Sequence, residues 1–319
     1  MKLPLNKTQN NGFSFFPREP LNPFSCTLGA FIFKLLLCLF LTIGTARAAE
    51  FRDALGRSVN MVAPPQRIIP LIPSLTEILY FLELGDKVVG VTEFSSYPAE
   101  ALKKPIVGSY ISLNIEKIVS LKPDLVIATV DGNQPGAVAM LEQAHIKVFV
   151  VNPRNVEEAI ATIVTLGRLC GVPALAEKKA QSLTTRLRQV REKVKNKPTP
   201  LVFLQINIKP MMSVNQNTFH HDVIRLAGGL NMTQNASIAY PVISLEEVLT
   251  RKPEIILISS MERGGRFEEA RQAWQRWTTI PAVKTGRIHL IDSDLIDRPS
   301  PRIVDSLEQI ARLLHPEAF

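Results

Sequence analysis

Two adjacent histidines, His220 and His221, are the side chains of this sequence best suited to metal or acid-base chemistry. Neighbouring helical residues point about 100° apart, so this pair cannot chelate one ion as residues four apart could. Zinc needs three or four convergent ligands, and the other histidines, at 145, 289 and 315, are scattered. No phosphate loop, Gly-x-Ser-x-Gly elbow or His-Glu-x-x-His motif is present. We predict no catalytic residue and no metal site. The pair is interpreted as a surface feature at a helix start, with one histidine facing a ligand as the alternative.

A charged segment, Asp292 to Arg302, directly follows the last predicted strand. It contains three aspartates, two arginines and two prolines. Open α/β sheets bind ligands in the crevice beyond the carboxyl ends of their strands. The segment therefore predicts a rigid polar loop at a binding site, and a solvated turn is the alternative.

Other loops that follow predicted strands carry aromatic rings and additional candidate side chains. They are Phe94, Tyr97, Tyr110, Thr129, Met212 and Tyr240. Aromatic and Met side chains at the mouth of a cleft suit a large, flat, partly apolar ligand whose rim is held by polar groups. These residue types favour the binding of a planar molecule.

One sequence pattern occurs twice, in residues 114–127 and again in residues 244–257. Each copy begins with an N-cap residue, places a glutamate two positions later (Glu116 or Glu246) and runs through Lys-Pro-acid into an apolar strand. The helix dipole favours an acid in the first turn by about 0.3–1 kcal/mol, which explains either glutamate alone. Two lobes related by a pseudo-two-fold axis would instead present both acids to a two-fold partner. The residues alone leave both explanations open.

Short apolar runs alternate with helical segments along the chain. Strands are predicted at 67–72, 87–91, 124–128, 147–151, 200–205, 254–258 and 287–291. Helices are predicted at 114–120, 135–144 and 219–227, and after Ser74, which would cap the first of them. This alternation is typical of parallel β/α units. Each half of the chain is therefore predicted to be a Rossmann-like α/β lobe.

A continuous helical segment, 173–194, separates the two lobes. It has no glycine, and its one proline stands at the start, where helices accept it. At 1.5 Å per residue the helix would be about 33 Å long. It predicts a stiff backbone helix at 173–197 that joins an N-terminal lobe, 49–172, to a C-terminal lobe, 198–319.

The first 48 residues do not fit this globular pattern. A basic start, a short apolar run at 35–43 and an Ala-Arg-Ala step at 46–48 are typical of a cleavable secretory signal peptide, with an uncleaved anchor as the alternative. Cleavage would remove five of the 37 basic and one of the 29 acidic residues, leaving a net charge of +4. No basic patch interleaved with aromatics remains, so nucleic acid is not an expected partner. Cys170, the one cysteine left, is interpreted as a buried packing residue.

Several motifs together resemble a known family. They are Arg67-Ile-Ile69, Pro73-Ser-Leu-Thr-Glu77, Val88-Val-Gly-Val91, Ser96-Tyr-Pro98, Leu121-Lys-Pro-Asp-Leu-Val-Ile127 and Ala227-Gly-Gly229. Residues 66–316 resemble the periplasmic substrate-binding proteins of ABC importers that have a helical backbone (class III) and serve cobalamin, haem and siderophores. Residues 131–133, 202–205 and 293–303 are most similar to the cobalamin-binding members.

The resemblance implies a periplasmic, monomeric and non-enzymatic receptor with no cofactor of its own. Its cargo would be cobalamin (vitamin B12) or a related corrinoid, held between the lobes. Its partner would be the permease dimer of an ABC importer in the inner membrane.

The resemblance also assigns roles to individual residues. Glu116 and Glu246 match the lobe-top glutamates that form salt bridges with arginines of the two permease subunits. Asp294 and Arg298 match the polar pair that reaches the corrin rim. The remaining ligand-binding positions fall at Tyr97, Tyr110, Thr129, Met212 and Tyr240. Three of these, Tyr110, Thr129 and Tyr240, replace tryptophans of the cobalamin-binding members and Met212 replaces a phenylalanine, which reduces the stacking area.

Four alternatives stay open at this point. Haem receptors of the family use a tyrosine where this chain has Ser109, with Tyr110 one residue later. Siderophore binding would call for more cleft cations than Arg154, Lys209 and Arg263. The other two alternative functions are a two-lobe enzyme and a signalling receptor of the same fold.

Overall fold

The computed structural model describes residues 49–259 and 266–319. The predicted signal peptide at 1–48 and the candidate Arg263 lie outside these residues. The described chain forms two parallel sheets flanked by helices, which confirms the predicted α/β class with two Rossmann-like halves. The lobe boundaries at 172 and 198 stay predictions.

A small antiparallel hairpin, which the sequence patterns did not predict, opens the described chain. Its strands are β1, Ala49–Arg52, and β2, Ser58–Met61. The first parallel sheet follows, with strands β3, Ile68–Pro70, β4, Leu125–Thr129, and β5, Val148–Val151, in the order β3-β4-β5. Its helices are α1, Pro73–Phe81, α2, Ile115–Ser120, α3, Pro135–Gln143, and α4, Val156–Leu169. The three strands are buried along their whole length, as expected for apolar strands covered on both faces.

One unbroken helix of 22 residues, α5, Pro173–Val194, leads from the first half to the second, as predicted. Its buried side chains recur every three or four residues and so form one stripe. They are Ala176, Ala180, Leu183, Leu187, Val190 and Val194. The stripe packs against α4 and continues onto the second half of the chain.

The second sheet contains strands β6, Leu201–Gln205, β7, Leu230–Asn231, β8, Ile255–Ile258, and β9, Ile288–Leu290, in the order β7-β6-β8-β9. Its helices are α6, Phe219–Leu226, α7, Leu245–Arg251, α8, Arg266–Gln275, α9, Pro281–Lys284, α10, Ser293–Ile296, and α11, Ile303–Leu314. Helix α11 packs on α5, where Arg186 bonds to Asp305 at 2.6 Å and to Glu308 at 2.8 Å.

A single cluster of buried apolar side chains runs through both halves of the described chain. It includes Leu75 and Phe149 from the first half, Leu183 from α5, and Val223 and Leu307 from the second half. The connecting helix is therefore part of one shared core, because its apolar stripe is buried by both halves.

Three predicted local features are wrong. The strand predicted at 87–91 is replaced by a 3₁₀ turn, Gly85–Lys87, and two isolated bridges, Ile68 to Val88 and Val91 to Ile106. The segment changes its pairing partner from Ile68 to Ile106 within four residues, so it forms no continuous β-ladder with either. Ser74 does not cap α1, because the helix already begins at Pro73 with Ile72 as its N-cap.

The third wrongly predicted feature is the structure of the segment after β9. It was predicted to be a loop, but it contains the short helix α10, whose N-cap Asp292 accepts a hydrogen bond from the backbone N–H of Asp294 at 2.9 Å. An aspartate at this position satisfies one of the backbone donors that a helix start leaves free.

Cys170 is fully buried, as predicted, and burial raises the pKa of its thiol to about 12. Within residues 49–259 and 266–319, none of the helices combines the length and the apolar character that crossing a membrane requires.

Candidate binding site

Several of the candidate residues lie at, or in segments that follow, the carboxyl ends of strands in the two sheets. Thr129 is the last residue of β4, Met212 follows β6, and Asp294 and Arg298 follow β9. Parallel strands point the same way, so their carboxyl ends meet at one edge of each sheet. The connections that leave this edge can therefore converge on a common ligand.

Asn133 holds three of these connections together in the first half. Its Oδ1 accepts a hydrogen bond from the backbone N–H of Thr129 at 3.0 Å. Its amide nitrogen donates to the carbonyl oxygens of Leu71 and Tyr110, both at 3.2 Å. Asn133 is 6% exposed and thus fixes Tyr110 beside the end of β4. Sequence reasoning did not assign it a role.

Phe94 and Tyr110 form an apolar surface beside this anchor. Their rings meet edge to face with centroids 6.4 Å apart. Phe94 is 44% exposed and Tyr97, three residues on, is 49% exposed. Large exposed rings in one loop are the kind of surface that a flat apolar ligand could cover.

Arg298 connects the two halves. Its guanidinium bonds to Asp294 at 2.6 Å, to Glu77 of the first half at 3.0 Å and to the carbonyl oxygen of Phe94 at 3.1 Å. The predicted pair of Asp294 and Arg298 thus exists, but it is also part of an ion cluster between the halves.

Arg302 completes this cluster, which consists of Glu77, Asp294, Arg298 and Arg302 and is called the Glu77 cluster below. It donates from Nε to Glu77 Oε2 at 2.9 Å and from Nη2 to Oε1 at 2.6 Å. Its guanidinium also lies 4.1 Å from the ring centroid of Tyr97. Burial lowers the pKa of Arg302, but the hydrogen bonds and charge of Glu77 outweigh that effect and leave the pKa raised.

Sequence reasoning missed the roles of Glu77 and Arg302. Glu77 is 2% exposed and lies on a helix next to the buried apolar residues Leu75, Ile78 and Leu79. Burying an unpaired carboxylate is energetically costly. An acid at a core position of α1 could therefore have indicated a buried ion pair. Its partners, more than 200 residues away, could not be inferred from that signal.

Tyr240 lies in a second cluster, formed by the second half. His220 meets its ring edge to face with centroids 6.3 Å apart. The Nε2 of His220 lies 3.1 Å from Asp297 Oδ1, and the hydroxyl of Ser259 donates to Asp297 Oδ2 at 2.8 Å. Burial raises the pKa of Tyr240, and the nearby charge of Asp131 adds to this effect. The phenol therefore stays protonated at neutral pH.

The surface interpretation of the histidine pair is wrong for His220, which is 4% exposed because it packs on Phe219 and pairs with Asp297. The predicted helix start is correct, since Thr218 caps α6 and accepts a bond from the backbone N–H of His221 at 3.3 Å. In the part of the chain that the structure describes, His220 Nδ1 is buried without a hydrogen-bond partner.

Contacts therefore join five of the seven candidate ligand residues into one network through Phe94, Asn133 and the Glu77 cluster. The five are Tyr97, Tyr110, Thr129, Asp294 and Arg298. Met212 is held separately, by backbone bonds with Ile206 at 3.0 Å and Asn207 at 3.2 Å. No described hydrogen bond ties Met212 or Tyr240 to the network.

Comparisons with known proteins show which family the chain belongs to. A family model described as "Periplasmic binding protein" matches residues 68–295. The chain is 32% identical to the vitamin B12-binding protein of Vibrio cholerae over 285 residues, which covers 89% of this chain and 97% of that protein. The chain belongs to the periplasmic binding protein family.

Solved structures of the family show the same fold. The crystal structure of the periplasmic vitamin B12 binding protein of Vibrio cholerae matches with a TM-score of 0.72 at 33% identity, covering 80% of this chain and 98% of that one. A periplasmic heme binding protein from Pseudomonas aeruginosa matches with the same TM-score, 0.72, at 27% identity, covering 80% and 94%. The family consists of substrate-binding proteins and is not a family of enzymes.

The two glutamates of the repeated pattern have the same local setting in this family member. Glu116 lies in the first turn of α2 and Glu246 in the first turn of α7, and both are exposed. The side chains of Asn114 and Ser244 accept hydrogen bonds from backbone N–H groups three residues on, at 2.9 and 3.1 Å, as N-caps do. The side chain of Glu247 pairs with Arg251 at 3.0 Å.

Helices α2 and α7 precede β4 and β8, the strands at the interior of the two sheets. In β/α units the helices run antiparallel to the strands they cover, so both helix starts lie toward the carboxyl edges. The two acids are thus equivalent in position, as the pattern predicted, and their role stays a prediction.

The candidate siderophore cations do not form a cluster among the described residues. Arg154 bonds to Asp131 at 2.6 Å, and Lys209 is exposed. Across residues 49–259 and 266–319, no group of three or more His, Cys, Asp or Glu side chains is placed to hold a metal ion.

Proposed function

We propose that this protein is a periplasmic receptor that binds cobalamin or a related corrinoid between its two halves. The observation that carries the proposal is the 32% identity with a vitamin B12-binding protein over 89% of the chain. The network around Arg298 supports it, because it places a polar pair, Asp294 and Arg298, beside the exposed rings of Phe94 and Tyr97. A corrin is flat and partly apolar and has amide groups on its rim, so it needs this combination.

The binding mode follows from the stiffness of the scaffold. The apolar stripe of helix α5 is buried by both halves, and the Glu77 cluster bonds the halves to each other. The receptor would therefore close only slightly around its cargo, because the cleft is already organised. Pre-organisation lowers the ordering cost of binding.

The partner and the location extend the same proposal. Residues 1–48 would direct export and be removed, and the mature receptor would deliver its cargo to the permease dimer of an ABC importer. Glu116 and Glu246 would form salt bridges with arginines of the two permease subunits, because two equivalent acids suit a two-fold partner.

Calorimetric titration of the purified protein with cobalamin, cobinamide and haem tests this proposal. We expect saturable binding of the two corrinoids and weak or no binding of haem. Saturable haem binding with no corrinoid binding would overturn the proposal.

Haem is the second candidate, because a heme binding protein shares the fold with 27% identity. Tyr110 is the tyrosine nearest to the axial position implied by the resemblance, and its backbone is fixed by Asn133. Protein purified with haem bound would have a Soret absorption band, whereas a corrinoid complex would have the spectrum of the corrinoid. The absorption spectrum of the protein with its natural cargo therefore separates the two candidates.

A further inference from the structure

A cavity of about 630 Å³ lies where the two halves meet beside α4 and α6. Its walls include Arg154 and Asn155 from the first half and Gln216, Asn217, His221 and Arg225 from the second. The volume lies within the range of about 300–1,000 Å³ that is typical of small-molecule sites. None of the residues proposed above to hold the corrin ring lines it.

The cavity adjoins the proposed cleft near Tyr240. Ala239, the neighbour of Tyr240, lines the cavity. Arg154 bonds to Asp131, and both charges act on the Tyr240 phenol. Arg154 follows β5 and Glu77 follows β3, which are the two outer strands of the first sheet. The cavity is therefore at the opposite end of the cleft from the Glu77 cluster.

The chemistry of the cavity suits a singly charged anion. Arg154 bonds to Asp131 through Nη1 only, and Arg225 uses Nε and Nη2 for Asp222 Oδ1. A guanidinium has five N–H donors, so both arginines keep donors for an oxyanion. Asp222 is satisfied on its other oxygen by the backbone N–H of Val156 at 2.9 Å.

The charges of Asp131 and Asp222 offset those of the two arginines, so an anion would be held in this cavity by directed hydrogen bonds from the guanidinium groups and would gain little from net charge. A phosphodiester has one charge and two oxygens for bidentate bonding to a guanidinium. The exposed side-chain amides of Gln216 and Asn217 add donors and acceptors for sugar hydroxyl groups.

We propose that this cavity binds the phosphodiester-linked nucleotide arm of a complete corrinoid while the ring occupies the adjoining cleft. This inference rests on the proposed function and deepens it. It makes Arg154 and Arg225 specificity residues that distinguish complete corrinoids from cobinamide, which lacks the nucleotide arm.

The test is a calorimetric comparison of cobalamin and cobinamide on the wild type and on Arg154→Gln and Arg225→Gln. We expect each variant to lose about tenfold in affinity for cobalamin, the loss typical of one charge-assisted hydrogen bond. Affinity for cobinamide should stay within about twofold of the wild-type value, because that ligand does not reach the cavity. Arg168→Gln is the matched control, since Arg168 forms an exposed ion pair with Glu177 at 2.9 Å outside the cavity.

Gln216→Glu keeps the proposal testable if the arginine variants fold poorly. It adds a negative charge at an exposed position of the cavity wall without removing an ion pair. It should weaken cobalamin binding selectively, and more so at low salt. Equal losses for both ligands, or no loss for either, would overturn the subsite. Failure of the wild type to bind any corrinoid would instead refute the proposed function on which the subsite rests.

Discussion

The carboxylate of Glu77 accepts two hydrogen bonds from the guanidinium of Arg302, 225 residues further along the chain, at 2.6 and 2.9 Å. The same carboxylate also accepts a bond from Arg298 at 3.0 Å. The side chains of Glu77, Arg298 and Arg302 are 1%, 11% and 17% exposed, so water screens these charges little. One buried acid thus bonds the first half of the protein to the segment that contains its candidate ligand pair.

Removing Glu77 should destabilise the protein strongly. Glu77→Ala would leave two buried guanidinium groups next to each other, and we expect the free energy of unfolding to fall by about 3–5 kcal/mol. Urea unfolding followed by circular dichroism measures this loss. Glu177→Ala is the control, because Glu177 belongs to the exposed pair with Arg168 and its removal should cost less than about 1 kcal/mol. Similar losses in both variants would show that the Glu77 cluster is not a buried ion network.

Asp294→Ala separates binding from stability. The side chain of Asp294 is 27% exposed, and the bonds from Arg298 and Arg302 to Glu77 do not depend on it. We expect cobalamin affinity to fall about tenfold and the free energy of unfolding to fall by less than in Glu77→Ala, because Arg298 loses one carboxylate partner but keeps the other. Calorimetry and thermal unfolding provide the two measurements.

Arg298→Ala should differ from Asp294→Ala, because it removes both a ligand contact and a partner of Glu77. It should lower affinity and stability together. Asp305→Ala is the control for both, since Asp305 is a half-exposed acid paired with Arg186 on the connecting helix and is not part of the Glu77 cluster. An unchanged titration curve for Asp294→Ala would contradict its assignment to the ligand rim.

Charge reversal at the two helix starts tests docking. Glu116→Lys combined with Glu246→Lys should leave corrinoid binding unchanged, because both side chains are exposed and lie outside the ion cluster around Glu77. Cellular uptake of corrinoid should be lost, since like charges would then face the arginines of the permease. Glu192→Lys, at an exposed position of α5 whose side chain is 72% exposed, is the matched reversal and should not affect uptake. Normal uptake by the double variant would rule out the docking role.

Cys170 gives the protein a pH dependence with a defined sign. Burial raises the pKa of the thiol from 9.0 to about 12. As the pH rises above 9, the unfolded chain loses this proton before the folded protein does, so the thiol's contribution to stability decreases up to about pH 12. We expect the free energy of unfolding to fall more steeply with pH in the wild type than in Cys170→Ala.

The same thiol should be inert to a disulfide reagent in the folded protein, because the thiolate is the reactive species and the side chain is fully buried. It should react rapidly in urea. Rapid reaction in buffer alone would show that the packing around Cys170 opens readily.

Local patterns predicted the scaffold well, because the features concerned depend on neighbouring residues. Helix α5 follows from an uninterrupted run of good helix formers with its proline at the start. The caps at Asn114 and Ser244 follow from side chains that can satisfy the free N–H groups of a helix start. The equivalent positions of Glu116 and Glu246 follow from the repeat itself.

The features that were missed depend on residues distant in sequence. Glu77 is paired and His220 is buried because Arg302 and Asp297 fold back onto them, and no local period encodes those contacts. Asn133 joins two loops through backbone carbonyl groups, which have no sequence signature. The strand predicted near Val88 was wrong because apolar content does not reveal which neighbour a chain segment will pair with.

The apolar stripe on α5 also bears on how the molecule folds. Because both halves bury that stripe, and one continuous core extends from Leu75 to Leu307, neither half would retain its full interior if it were expressed alone. The receptor should behave as a single cooperative unit, with one calorimetric transition and no autonomous half-molecule fragment. The two halves would then be distinct in structure, but the described residues, 49–259 and 266–319, would unfold together as one cooperative unit.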